Sequence, residues 1–182
     1  MLQPDVSDLY QLIQAVQNAI LDFWFDEIEQ SQWWVKDPTF DALIKQRFLC
    51  AHQKAVRGEL FEWRQTAKGR LAEIIVLDQF SRNIYRDTPR SFSSDAQALV
   101  LAQEAVSAKA DTQLSPVENS FLYMPYRHSG SLFIHDIAVK LYKNNGIETN
   151  YDFELKHREI IQRFNRYPHE TTYLAEPRHQ RK

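Results

Sequence analysis

The chain has 182 residues, 43% hydrophobic and 13% aromatic, with 22 basic against 24 acidic side chains and a formal net charge of −2. That length supports one domain with a sizeable core, and the near balance of charge argues against a general nucleic-acid binder or a membrane-surface protein. Only four glycines occur, and no GxGxxG, GxxxxGK[ST], CxxC, HExxH or GxSxG pattern is present, which removes several common enzyme classes. The lone Cys50 cannot close an internal disulfide, and the first ten residues lack a basic stretch followed by an apolar run, so a cytoplasmic location is expected. No apolar run approaches the roughly 18 residues that a membrane span needs.

Helical periodicity runs through nearly every segment. Leu9, Leu12, Ile13, Val16, Ile20, Phe23 and Trp24 form one stripe, predicting a first helix from about Ser7 to about Phe25. A loop carrying Trp33, Trp34 and Lys36 follows. Asp37 before Pro38 is a start signal, a side-chain cap ahead of a residue whose missing N–H costs nothing there. The buried face of that helix is read as Phe40, Leu43, Ile44, Phe48 and Ala51, with Gly58 ending it in a left-handed conformation. Thr66 can cap a third helix that contains Leu71–Arg86 and ends near Asp87–Pro89.

A fourth helix is predicted from near Ser94 to about Ala108, packing through Ala98, Leu101, Ala102 and Ala105. Ser115-Pro116-Val117-Glu118 combines a capping box with a proline in the first turn and opens a short helix that stops before Pro125. Further helices are predicted from Ser131 to Asn145, closed by Gly146, and from Asn150 to Phe164, stopped by Asn165. The inward face of the last is read as Phe153, His157, Ile160, Ile161 and Phe164. Residues 1–170 make the domain, and 171–182 a polar tail expected to be flexible. With no strictly alternating segment, the fold class is all-α: an antiparallel helical-hairpin array of about six to eight helices.

Four clusters carry chemistry. In Leu71–Arg86 one helix face reads Leu71, Ile74, Ile75, Asp78, Arg82, Tyr85, so a core stripe runs on into charge. Burying an unpaired charge is costly, so Asp78 and Arg82 are expected to be partly buried and paired, with each other or with groups from elsewhere. Gln79, Asn83 and Arg86 complete this cluster. Arg82 and Arg86, one turn apart, can together grip a carboxylate or phosphate; an architectural Asp–Arg clasp explains the same residues without a ligand.

The second cluster is Trp33, Trp34 and Lys36. Adjacent tryptophans cannot both enter one core direction, so one lines a pocket or meets a partner. The third is Met124–Ser129, read as a loop, where His128 is a candidate base and helix capping accounts for Ser129. The fourth joins His157 and Arg158 to Arg166 and His169, with a hydrogen-bonded core histidine as the plainer reading of His157. His128, His157 and His169 lack ligand spacing, so neither a metal nor another cofactor is expected.

Taken in order, LDFWF at Leu21–Phe25, WWVKDPTFD at Trp33–Asp41 and the pair Arg47-Phe48 resemble a bacterial family classed as domain of unknown function 924. The resemblance continues through LDQFSRNIYRDTPRSF at Leu77–Phe92, Asp95, FLYMPYRHS at Phe121–Ser129 and HREIIQRFNRYPH at His157–His169, most of the chain. It implies a tetratricopeptide-like stack of helices and brings no activity or catalytic residue. This chain departs from the family at Gly130, where the family carries Glu, and at Glu170-Thr171, where it carries Arg-Asn. A family site that needs that Glu is altered here.

The functional expectation is a binding module for a peptide, a protein or a small anionic molecule, with no nucleic-acid or membrane partner. Two alternatives stand beside it. One is an enzyme with a polar pocket closed by Asp78, Arg82, Tyr85, His128, His157 and Arg166; the other is a scaffold held by a buried Asp–Arg clasp.

Overall fold

The computed structural model describes residues 6–164 and Tyr167. The expectations for Arg166, His169, the Asn165 stop, the Glu170-Thr171 departure and the 171–182 tail lie outside the described residues, as do the side chains of Leu9, Leu12 and Ile13. Among the described residues the regular structure is entirely helical: α1 Val6–Asp22, α2 Pro38–Val56, α3 Ala67–Ile75, α4 Ser81–Ile84, α5 Asp95–Ser107, α6 Pro116–Leu122, α7 Met124–Arg127, α8 Leu132–Asn145 and α9 Glu148–Phe164. Short 3₁₀ turns fill most connections. None of the described helices is long and apolar enough to cross a membrane.

Local chemistry sets the helix ends. The Asp37 carboxylate accepts the N–H groups of Thr39 at 2.8 Å and Phe40 at 3.3 Å, with Pro38 in the first turn of α2. At the other end Gly58 has φ +73°, and the N–H groups of Gly58 and Glu59 reach back to Ala55 and Lys54, each at 2.9 Å. The Thr66 hydroxyl accepts Gly69 N–H, and Ser115 and Glu118 bond reciprocally at the start of α6.

The centre of the molecule is α3 and α4, joined without a break by a π turn at Val76–Phe80. Every residue from 71 to 81 is buried. The sequence predicts one inward stripe; the whole circumference is covered instead, because α1, α2, α5 and α6 all pack on this helix. The π turn adds one residue to the helical count, so the face that leads through Leu71 and Ile75 does not run straight into α4. Phe80 on that turn joins an aromatic core, 5.0 Å from Phe48 of α2 and 5.6 Å from Trp24.

Several details differ from expectation. Val16 and Leu43 are exposed. Met124–Arg127, read as loop, is the buried turn α7, because Pro125 sits in its first turn, where no N–H is needed. On α9, Phe153 and Phe164 face out, while Glu154 and Ile161 are buried. Apolarity misplaced that face because a carboxylate with enough donors can take a core position.

Gly69 of α3 lies against the turn before it: a Cβ there would stand 2.0 Å from the Trp63 carbonyl oxygen and 2.7 Å from Gln17 Oε1. Backbone cannot yield cheaply, so Gly69→Ala is expected to cost about 3 kcal/mol or more in urea unfolding. Gly130→Ala, with open space around its Cβ, should be near neutral by the same measurement.

Candidate functional site

Asp78 is a polar side chain of the central helix whose bonds reach other helices. Its residue is 0% exposed. Oδ1 accepts from His128 Nδ1 at 2.7 Å and from Arg82 Nη1 at 3.2 Å, and Oδ2 accepts from Gln79 Nε2 at 2.6 Å. Arg82 also forks onto Asp95 of α5 with two bonds of 2.9 Å and donates to the Asp78 carbonyl at 2.9 Å. Burial alone would push the Asp78 carboxyl up, but the charges of His128 and Arg82 outweigh it and hold the group at about 2. For Asp95 burial dominates and raises the carboxyl, with Arg82 opposing.

His128 carries this buried charge outward. It lines a cavity of about 560 Å³ together with Trp34, Met124, Asn150, Phe153 and His157, and it also borders a smaller hollow beside Asp95 and Gly130. Gly130 stands on the rim of that hollow, with nothing within 4 Å of the place a Cβ would take. In the lining of the larger cavity, His157 Nδ1 donates to the Phe153 carbonyl at 2.7 Å. Burial pulls the His157 ring below its ordinary range, so it is an uncharged imidazole at neutral pH.

The two adjacent tryptophans divide as expected. Trp33 turns inward, donates Nε1 to the Trp24 carbonyl at 2.9 Å and packs 4.8 Å from Phe121. Trp34 is 61% exposed, lies parallel to Phe121 at 6.1 Å and forms a wall of the cavity. Their segment, Gln30–Trp33, is a 3₁₀ turn rather than an open loop.

Other candidates are not brought there. Arg86 and Asn83 both hold Asp41 of α2, so Arg82 and Arg86 serve separate carboxylates and form no joint anion fork. Lys36 pairs with Asp87, Arg158 with Asp136, and Tyr85 lies between His52 and Arg90. Of the six groups of the expected pocket, His128 and His157 line the cavity, Asp78 and Arg82 stand behind His128, Tyr85 is elsewhere and Arg166 lies outside the described residues. The Ser129 hydroxyl accepts Ser131 N–H at 3.2 Å, a local turn bond ahead of α8.

A second buried network escaped the sequence reading. Glu154, 0% exposed, meets His135 Nδ1 at 2.6 Å and Arg127 Nε at 3.3 Å. Arg127 also donates to the Asn150 carbonyl at 2.9 Å, and the Tyr167 hydroxyl donates to the Arg127 carbonyl. The spacing Asn150, Glu154, His157, Ile161 is a helix-face signal that could have located it. His52 is another missed group: buried against Ser81 at 2.7 Å, its ring is pushed down to about 4 by burial and by Arg90. Among the described residues no cluster of three or more His, Cys, Asp or Glu is arranged to hold a metal ion.

Because the Asp78 carboxyl is lowered on folding, its contribution, about 2 kcal/mol, is present above the ordinary carboxylate range and lost as pH falls toward 2. In urea unfolding, the advantage of the wild type over Asp78→Asn is therefore expected to shrink between about pH 5 and about pH 2. A gap independent of pH would contradict this account of the site.

The model of a family described as bacterial protein of unknown function (DUF924) matches residues 20–180. ATU0120 from Agrobacterium tumefaciens, a protein of unknown function with a solved structure, is similar with a TM-score of 0.85 and 32% identity, over 90% of this chain and 92% of that chain. Comparison with curated proteins gives no match. By a family match over most of its length and a shared fold at this identity, the chain belongs to the DUF924 family.

Proposed function

We propose that this protein binds a small organic molecule in the cavity walled by Trp34, Met124, His128, Phe153 and His157. The observation that carries the reading is His128, held from behind by a fully buried carboxylate and bordering a volume of about 560 Å³. Aromatic and thioether walls with a few fixed polar groups are the usual composition of a ligand site, and this volume suits a small molecule better than a bound helix. The anion suggested by Arg82 and Arg86 has no support here, since neither guanidinium lines the cavity. A cytoplasmic location fits the exposed, unpaired Cys50.

The test is a fragment screen by ligand-observed NMR, using amines, alcohols, amides and acids on aromatic bodies. Hits are expected whose affinity falls about tenfold or more in Trp34→Ala and in His128→Asn, and stays unchanged in a variant of the exposed Lys140. Hits indifferent to both cavity variants, or none at all, would reject the reading.

The Asp78–His128 pair also favours a second reading, as an enzyme. A carboxylate on Nδ1 fixes the imidazole orientation and leaves Nε2 suited to take a proton from a bound hydroxyl or water. If a cavity ligand is turned over, His128→Gln should lower the rate by about a hundredfold or more while the ligand still binds. An unchanged rate would exclude His128 as the base.

A further inference from the structure

Three polar groups on the cavity wall, His157, His128 and Asn150, each give a donor to the protein and keep an acceptor. His157 uses Nδ1–H on the Phe153 carbonyl, and its ring is uncharged, so Nε2 carries a lone pair. His128 uses Nδ1–H on Asp78, which leaves Nε2 as an acceptor in the imidazole form. Asn150 gives Nδ2 to Ser120 Oγ at 2.7 Å while its carbonyl is occupied by Arg127, leaving Oδ1 to accept. Arg127 borders the cavity but is only 5% exposed, and its donors go to Glu154, the Asn150 carbonyl and Met124 Sδ. Its guanidinium also lies 4.2 Å from the centre of the Tyr142 ring.

Charge and shape agree with this census. With Asp95 as the carboxylate that its fork to Arg82 requires, Asp78, Asp95 and Glu154 face Arg82, Arg127 and His135, whose two ring nitrogens both donate to oxygen acceptors, so the groups behind the wall carry no net positive charge to repel a cation. Trp34 is 61% exposed and Phe153 is 53% exposed, and both line the cavity, where an indole or phenyl face attracts a cation. An anion there would meet lone pairs and ring faces, while the Arg127 guanidinium is held by Glu154 and the Asn150 carbonyl.

Building on the cavity reading, we infer that the ligand is an organic ammonium: a primary amine on an aromatic or apolar body, its N–H groups donated to His128 and His157 and its body laid against Trp34, Phe153 and Met124. The site supplies acceptors and π faces, and the ligand supplies donors and positive charge.

Three probes with matched bodies test this: phenethylammonium, phenethyl alcohol and phenylpropanoate, each titrated into the full-length, ¹⁵N-labelled protein at about pH 7.5, where imidazoles are mostly neutral. The ammonium is expected to bind at least about tenfold more tightly than the other two, to move the Nε2 resonances of His128 and His157, and to lose about tenfold affinity in both His157→Phe and Trp34→Ala. His157→Gln, with unchanged thermal unfolding, guards against a folding defect in the phenylalanine variant and is expected to show the same loss. If the alcohol or the carboxylate binds as tightly at the same resonances, the ammonium assignment is wrong and the cavity reading stands. If no probe binds, or Trp34→Ala leaves every affinity unchanged, both are wrong.

Discussion

A carboxylate without access to water sits in the middle of this protein, and its neighbours are arranged to keep it charged. Moving such an ion out of water costs several kcal/mol even after relaxation, and one weak partner would not offset that. Asp78 has three donor side chains, and the strongest cation among them, Arg82, is itself anchored to Asp95. The consequence is mechanical. The π turn, α4, α5 and the residue following α7 converge on one point, and displacing any of them would strip a donor from a buried charge.

The same device recurs at Glu154, which ties α7, α8 and α9 through Arg127 and His135. Arg127 and His128 are consecutive residues, each given to a different buried carboxylate. The short turn they close is thereby pinned on two sides. Its rigidity matters for recognition, because polar groups that need no reorganisation lose less entropy when a ligand arrives. The cavity combines this fixed polar floor with an exposed tryptophan at its edge. On the proposed reading, that pairing is what separates a ligand site from a clasp that merely holds helices in register.

Much of the architecture was legible because it rests on short-range chemistry. Asp37-Pro38, Thr66, Ser115 with Glu118, Gly58 and Gly146 mark helix ends through bonds to backbone groups a few residues away, and the structure places helix boundaries at each. The pairing of Asp78 and Arg82 was legible too, since charge on a core stripe demands partners. Three matters were not: that the central helix is buried all round, that a π turn shifts its phase, and that Glu154 rather than Phe153 faces inward. Each depends on which other helices pack there and what donors they bring.

The sequence by itself determined a helical fold class, the positions of its capped helix ends, and the presence of charges that had to be compensated indoors, because capping, periodicity and desolvation act between near neighbours or on single groups. Only the tertiary structure decided which charges meet. It sent Arg82 to Asp95 and Arg86 to Asp41, aligned His128 on Asp78 from 50 positions away, and left Trp34 and His157 on one cavity wall. Those pairings depend on the packing of distant helices around a common core, and no local spacing records it.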